Sequence, residues 1–332
     1  MTSRILTVLT FIFFLSACEQ APEYIHLQGY TMGTTYNVKA EDRGDAEALQ
    51  KRIDERLKEI NQLMSTYIDD SELSLFNHNQ SLDCLPLSKD TLTVIQAAVD
   101  ISESTQGKFD VTLAPLIELW GFDKKETNNA IPSQQEITAL LAKIGFSKIA
   151  IENGCIKKGD EQLSINLSAI AKGYGVDEIA RIVAESGHKN FLVEIGGEIV
   201  VKGVNPKGKA WTVAIESAST ADRSIQRLLS LKDISVATSG DYRNYFEKDG
   251  KRYSHTIDPT TGYPIEHNLA SVTVLHKQNM MADAIATAMM VMGPKASLEY
   301  AEKHQLPVFI LVKNGEQFEE KYSSAFEPYL KD

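Results

Sequence analysis

Apolar residues recur at three- and four-residue intervals at Leu49, Ile53, Leu57, Ile60 and Leu63, with charged residues on the opposite face. This spacing predicts an amphipathic helix over Asp45 to Leu63. A similar stripe predicts a helix over Ser88 to Gln106, with Ser88 placed to cap it and Gly107 to stop it. Ser133 to Ile144, Ser168 to Ser186, Met281 to Met292 and Pro294 to His304 read the same way. Tyr24 to Tyr30 and Thr34 to Ala40 read as strands joined through Thr31-Met32-Gly33. After Asn190 the texture turns β-prone. Phe191 to Val201, Trp211 to Ile215, Leu228 to Leu231, Ile234 to Ala237, Tyr253 to Ile257 and Leu269 to Leu275 are short runs between Gly, Pro and Asp turns. Val308 to Val312 and Gln317 to Tyr322 form a closing strand pair. Helices and strands intermingle without a βαβ rhythm, and no GxGxxG marks a strand-to-helix turn, so the expected class is α+β rather than a doubly wound sheet.

The first residues break this pattern. One positive side chain, Arg4, precedes a nearly unbroken apolar run from Ile5 to Leu15 that is too short to span a bilayer and reads as a signal-peptide core. It ends in Leu15-Ser16-Ala17-Cys18, which resembles the lipobox of bacterial lipoproteins. The expected organisation is a signal peptide over 1–17, a tether over 18–23 lipidated at Cys18, and one domain over 24–332 held at a membrane outside the cytoplasm.

Composition narrows the function. The chain has 332 residues, 43% hydrophobic and 24% charged, with a formal net charge of −11. That balance argues against the basic surface that nucleic-acid binding uses, and an anionic ligand would need a metal ion or backbone NH groups to help hold it. Three cysteines do not make a disulfide scaffold, and without CxxC or HxxxH spacing a zinc site is not expected. Cys84 and Cys155 read as two separately buried thiols, with pairing as the alternative should their Cα atoms come close.

Five segments concentrate Gly, hydroxyls and carboxylates. Tyr30-Thr-Met-Gly-Thr-Thr-Tyr36 by itself is a hairpin turn. Met64-Ser-Thr-Tyr-Ile-Asp-Asp-Ser71 is either a polar-ligand loop or a helix connection with Ser71 as N-cap. In Gly107-Lys-Phe-Asp-Val-Thr-Leu-Ala-Pro-Leu116, Asp110 sits among residues that want burial, so it either caps the next turn or accepts from a ligand. Ile165 to Asp177 passes from strand to helix and puts Lys172 in the first turns, where free NH groups favour an anion. The fifth combines the turns Thr238 to Tyr242 and Ser254 to Pro264 with Asp283 and Thr287, which lie four apart on one helical face. Carboxylate plus hydroxyl, without His or Cys, is a hard-oxygen pair that suits Mg²⁺; the plainer alternative makes Asp283 an N-cap.

Taken in order, TMGTTY, MSTY followed by DSELSLFN, GKFDVTLAPL, AIAKGYGVD, VEIGGE, ATSGDYRNYF, HTIDPTTGYP and ADAIATAMMVMG resemble the ApbE-type flavin transferases, the FAD:protein FMN transferases. The resemblance covers nearly the whole chain after the leader. It implies helices packed on mixed or antiparallel sheets, with an FAD cleft between subdomains. It also implies Mg²⁺-dependent transfer of FMN from FAD to a Thr or Ser hydroxyl, with AMP released. The acceptors it implies are the flavin-bearing subunits of Na⁺-translocating NADH:quinone reductase or Rnf-type complexes, met on the periplasmic face of the bacterial inner membrane.

Residue by residue, the resemblance places Met32, Asp69, Asp70, Ser71, Asp110, Lys172 and Ile257 against FAD, and Asp283, Thr287 and the Ala169 carbonyl on the metal. His255, beside Asp258, is where the resemblance suggests a base that takes the acceptor hydroxyl's proton or a group that orients the acceptor. Where the family often has Asp-Leu-Gly-Gly, this chain has Asn166-Leu-Ser168-Ala169. Two rivals share the site: an FAD pyrophosphatase that uses water as nucleophile, and a lipoprotein that binds FAD without chemistry.

Overall fold

A computed structural model describes residues 23–123, 130–218, 224–241 and 245–330. The signal segment, Cys18, most of the tether, and Tyr242 lie outside these residues.

An eight-stranded antiparallel sheet runs through the molecule in the order Tyr24–Thr31, Thr34–Glu41, Phe191–Ile195, Glu198–Lys202, Ile234–Gly240, Leu269–His276, Val308–Asn314, Gln317–Tyr322. Both of its faces are covered. In Val308–Asn314, Val308, Ile310 and Val312 join the core under the helices, while Phe309 and Leu311 join the core on the other side. This is the period-2 alternation of a strand buried on both faces. The helices Ala46–Met64, Ala171–Glu185 and Asn279–Met292 cover the first face. The Trp211–Glu216 and Ile225–Leu231 hairpin, with the final Ser324–Tyr329 turn, covers the second. A satellite cluster of Leu116, Trp120, Ile137, Ile144 and Ile257 packs the loops beside the sheet, and Trp120 Nε1 donates to the Gly262 carbonyl at 2.8 Å.

The α+β expectation holds, with three differences of detail. Phe191 to Val201 is two strands rather than one, because Gly196 and Gly197 take φ of 57° and 104° and turn the chain back so that Ile195 pairs with Glu198. The helix expected from Ser168 begins at Ala171, after a turn in which Ser168 N donates to Asn166 Oδ1 at 2.9 Å. A seven-residue helix, Glu72–His78, follows the MSTY segment, too short to leave a periodic signature.

Cys84 and Cys155 are not separate buried thiols. They form a disulfide with Cα atoms 5.5 Å apart, and Cys84 is exposed. Pairing of Leu85–Pro86 with Cys155–Lys158 brings them together across 71 residues, a long-range contact that local spacing cannot reveal.

Candidate active site

The site grows from a close approach of two helices. A methyl on Gly173 would lie 2.6 Å from the Asn279 carbonyl oxygen and 2.7 Å from Met280 Cα, so only glycine lets Ala171–Glu185 meet Asn279–Met292 here. Gly173 N then donates to Asp283 Oδ2 at 3.0 Å. One turn further, Asp177 accepts the amides of Asn279 and Met280 at 2.9 Å each, capping the helix that carries Asp283 and Thr287. Asp283 is therefore not the N-cap; Gln278 is, and Asp283 sits a turn inside.

Asp283 faces a cavity of about 400 Å³ that also receives Lys172, Glu198, Thr287, Ala169, His255, Ile257 and Asp110. A second cavity of about 480 Å³, lined by Met32, Ile60, Met64 and Ile68, shares Tyr67, Asn166, Ser168 and Lys172 with the first. The two form one cleft with Lys172 at the junction. One end is apolar and the other holds the charges.

Lys172 Nζ makes an ion pair with Glu198, a carboxylate that is 2% exposed. Burial pushes the Glu198 carboxyl above its usual range, Lys172 pulls it back and Asp283 pushes it up again. Burial likewise raises Asp283, opposed by Lys172 and by the Gly173 amide. Burial pulls Lys172 down, but Asp283 and Glu198 outweigh it and leave the ammonium more basic than usual. Two carboxylates and one ammonium thus share a desolvated corner.

Asp110 lines the same cavity with its oxygens committed. Oδ1 accepts from Thr112 N at 2.8 Å and Thr112 Oγ1 at 2.6 Å, and Oδ2 accepts from Phe146 N at 2.9 Å. It caps the Val111–Leu113 turn and lines the cavity as well. Asp258 is engaged too, with Lys108 Nζ at 3.1 Å and Thr260 N at 2.8 Å. Asp241 feels the charge of His255: burial raises its carboxyl, and Arg252, at 3.6 Å, His255 and His267 lower it. His255 also stands edge-on to Phe122, 6.3 Å between ring centres.

Met32 reaches the second cavity from a turn where it and Gly33 take φ of 49° and 71°. Asp69, Asp70 and Ser71 are not among the residues that line either cavity; the wall is made by Thr66, Tyr67 and Ile68. Ser71 is fully buried and caps Glu72–His78 through Ser74 N at 3.0 Å, while the Asp70 carbonyl accepts from Gln62 at 2.9 Å. Glu198 and Asp177 carry no sequence-level role. The Gly196-Gly197 pair was the signal for Glu198, since a tight turn there sets it at a strand start facing Lys172.

The ApbE family model matches residues 32–310. The chain belongs to the ApbE family. It is 45% identical to the FAD:protein FMN transferase of Vibrio cholerae over 98% of each chain. It is 35% identical to that of Escherichia coli K12, covering 99% of this chain and 97% of the other. The solved flavin transferase ApbE from Vibrio cholerae superposes with a TM-score of 0.87 at 45% identity, covering 93% of this chain and 100% of the other. The apo Pseudomonas stutzeri flavinyl transferase ApbE gives 0.86 at 37% identity, covering 93% and 97%. In this ApbE chain the turn before Lys172 is closed by an asparagine: the Asn166 amide oxygen accepts the Ser168 amide as a carboxylate would, so the local turn does not need the family's aspartate.

A divalent cation fits the floor of the cleft. Asp283 is a buried carboxylate on the cavity wall with one backbone donor, and Thr287 offers a hydroxyl one turn along the same helix. Among the described residues no three His, Cys, Asp or Glu side chains gather into a metal cluster; Asp283 with the neutral oxygens of Thr287 and Ala169 beside it is the ligand type Mg²⁺ accepts when substrate phosphates complete its shell.

Proposed function

We propose that this flavinyltransferase moves the FMN part of FAD onto a threonine or serine hydroxyl of an acceptor flavoprotein subunit and releases AMP. The observation that carries the reading is the plan of the cleft: two cavities joined at Lys172, with Asp283 and Thr287 on the wall of one and an apolar lining in the other. A dinucleotide with two ring systems joined by a diphosphate has the same plan. The curated relatives' shared name, FAD:protein FMN transferase, supports the same substrate.

Phosphoryl transfer is governed by positioning and charge neutralisation. Lys172, kept protonated by its two carboxylate neighbours, meets the diphosphate at the junction of the cavities. Asp283, Thr287 and the Ala169 carbonyl would hold Mg²⁺, which would supply charge withdrawal from the diphosphate. His255 takes the proton of the acceptor hydroxyl as its oxygen bonds to the FMN-side phosphorus, and the bond from that phosphorus to the bridging oxygen breaks with AMP as leaving group. Met32, Ile60 and Met64 give one ring system an apolar seat.

Acceptors of this kind are the flavin subunits of Na⁺-translocating NADH:quinone reductase or Rnf-type complexes. The chain works at the periplasmic face of the inner membrane, anchored by lipid on Cys18; the Cys84–Cys155 disulfide supports an oxidising compartment. No helix among the described residues is long and apolar enough to cross a membrane.

Incubation with FAD, Mg²⁺ and an acceptor subunit tests the reading. Covalent flavin on the acceptor with one AMP per flavin is expected. Free FMN with AMP would make the protein a pyrophosphatase, and intact FAD would make it a binding protein.

A further inference from the structure

Lys172 has two carboxylates within its electrostatic reach, and its use depends on which one it takes. Glu198 starts a strand at the Gly196-Gly197 turn, is 2% exposed, and accepts from Lys172 Nζ. Asp283 lies in the same cavity wall, tied to the very next residue through the Gly173 amide at 3.0 Å. Lys172 keeps about a third of its side chain exposed, but both carboxylate charges act on its ammonium, so a Lys172 that lost Glu198 would turn to the one that remains, Asp283. It would then occupy the oxygen that a cation needs.

We infer that Glu198 is a positioning residue that holds Lys172 off Asp283, so that the lysine ammonium and a divalent cation occupy separate places along the diphosphate. This deepens the proposed function and rests on its assignment of Asp283 to a metal. Glu198 touches neither substrate nor cation in this scheme; it acts through Lys172. The sheet turn supplies the rigidity, since Glu198 pairs with Ile195 and its backbone cannot follow a lysine that moves.

A double-mutant cycle on Mn²⁺ binding, read by electron paramagnetic resonance of the free ion with the full chain and no FAD, tests this. Glu198→Ala is expected to weaken Mn²⁺ binding at least tenfold, because the freed lysine competes for Asp283. Lys172→Met in the wild-type background is expected to change it less than threefold. The double variant is expected to return to within threefold of wild type. Simple loss and gain of charge would instead make Lys172→Met tighten binding by the same factor in both backgrounds, and that additive result overturns the proposal. Glu198→Gln, the isosteric change, carries the same cycle if thermal melts show that Glu198→Ala does not fold. A wild-type chain that binds no Mn²⁺ overturns the metal assignment and this inference together. Binding with an additive cycle overturns the inference alone.

Discussion

Two carboxylates line the first cavity, one carried by a loop and one by a helix. On the loop wall, Asp110 receives three protein donors, two from Thr112 and one from Phe146, and with them it closes the Val111–Leu113 turn. On the helix floor, Asp283 receives one backbone donor and otherwise faces Lys172 and the cavity. Both are desolvated, and both are pushed above the usual carboxylate range by burial. They differ in how completely the protein satisfies them. A buried carboxylate supplied with donors is scaffolding, whereas one left short of donors is held ready for a ligand.

The largest test of this contrast exchanges each acid for its amide. Asp283→Asn is expected to cut flavin transfer roughly 10³-fold, as expected when the main electrostatic stabiliser of a phosphoryl transfer is lost. Asp110→Asn is expected to keep transfer within about tenfold of wild type and to cost about 1–2 kcal/mol of stability through its cap. Steady-state flavinylation of an acceptor and thermal melts would show both. Equal activity losses for the two variants would erase the distinction.

The loop wall is also braced from behind. The Cys84–Cys155 disulfide clips the small sheet of Leu85–Pro86, Cys155–Lys158 and Ile149–Glu152, which leads out of the turn whose Phe146 amide holds Asp110. Closing a loop of 71 residues stabilises by about 4 kcal/mol in the chain-entropy view. A Cys84→Ala/Cys155→Ala variant is expected to melt lower by that amount while binding FAD with unchanged affinity, because neither cysteine lines the cleft. A weakened FAD affinity would mean that the brace shapes the site.

On the helix floor the brace is contact rather than covalent. Gly173→Ala would put a methyl 2.6 Å from the Asn279 carbonyl, backbone that cannot rotate away, so the helices must part. Overpacking of this kind costs about 1–3 kcal/mol, and here it also pulls the Gly173 amide from Asp283. The expected signature is a modest fall in melting temperature with a disproportionate loss of metal-dependent transfer. A stability loss with turnover unchanged would show that the close approach matters for packing only.

How much of this was readable in the sequence follows the range of the contacts involved. The long amphipathic helix declared itself because Leu49, Ile53, Leu57 and Ile60 are local and periodic, and all four are buried. Lys172, Asp283, Thr287, His255, Ala169, Ile257, Asp110 and Met32 all line the cleft, but their grouping came from a whole-chain resemblance, since no local spacing joins residue 32 to residue 287. Asp69 to Ser71 stay ambiguous in the sequence because a hydroxyl- and acid-rich loop looks alike whether it binds a ligand or caps a helix; in the structure Ser71 caps one. Glu198 was hidden inside an apolar run whose Gly-Gly turn outweighs its β propensity. The disulfide depends on strand pairing across 71 residues and leaves no local trace at all.

The smallest expected effect separates the floor's own scaffolding acid from its ligand-ready one. Asp177 accepts two backbone amides, as a cap should, yet burial lifts its carboxyl from 3.8 to about 6, with the Met280 and Asn279 amides opposing and Glu178 adding slightly. The folded chain therefore holds this proton more tightly than the unfolded chain does. Protons are taken up on folding between about pH 4 and 6, so this group's contribution to stability is greatest at the acid end and falls as pH rises through that window. From pH 5 to pH 7 the fall amounts to about 1 kcal/mol. Asp177→Asn cannot titrate and is expected to flatten the denaturant-measured stability profile by that amount over the same range, even though one amide of the capped helix then lacks its acceptor and the absolute stability drops. If wild type and variant keep parallel profiles, the two amide bonds hold Asp177 ionised throughout, and the capping acid is satisfied as fully as Asp110.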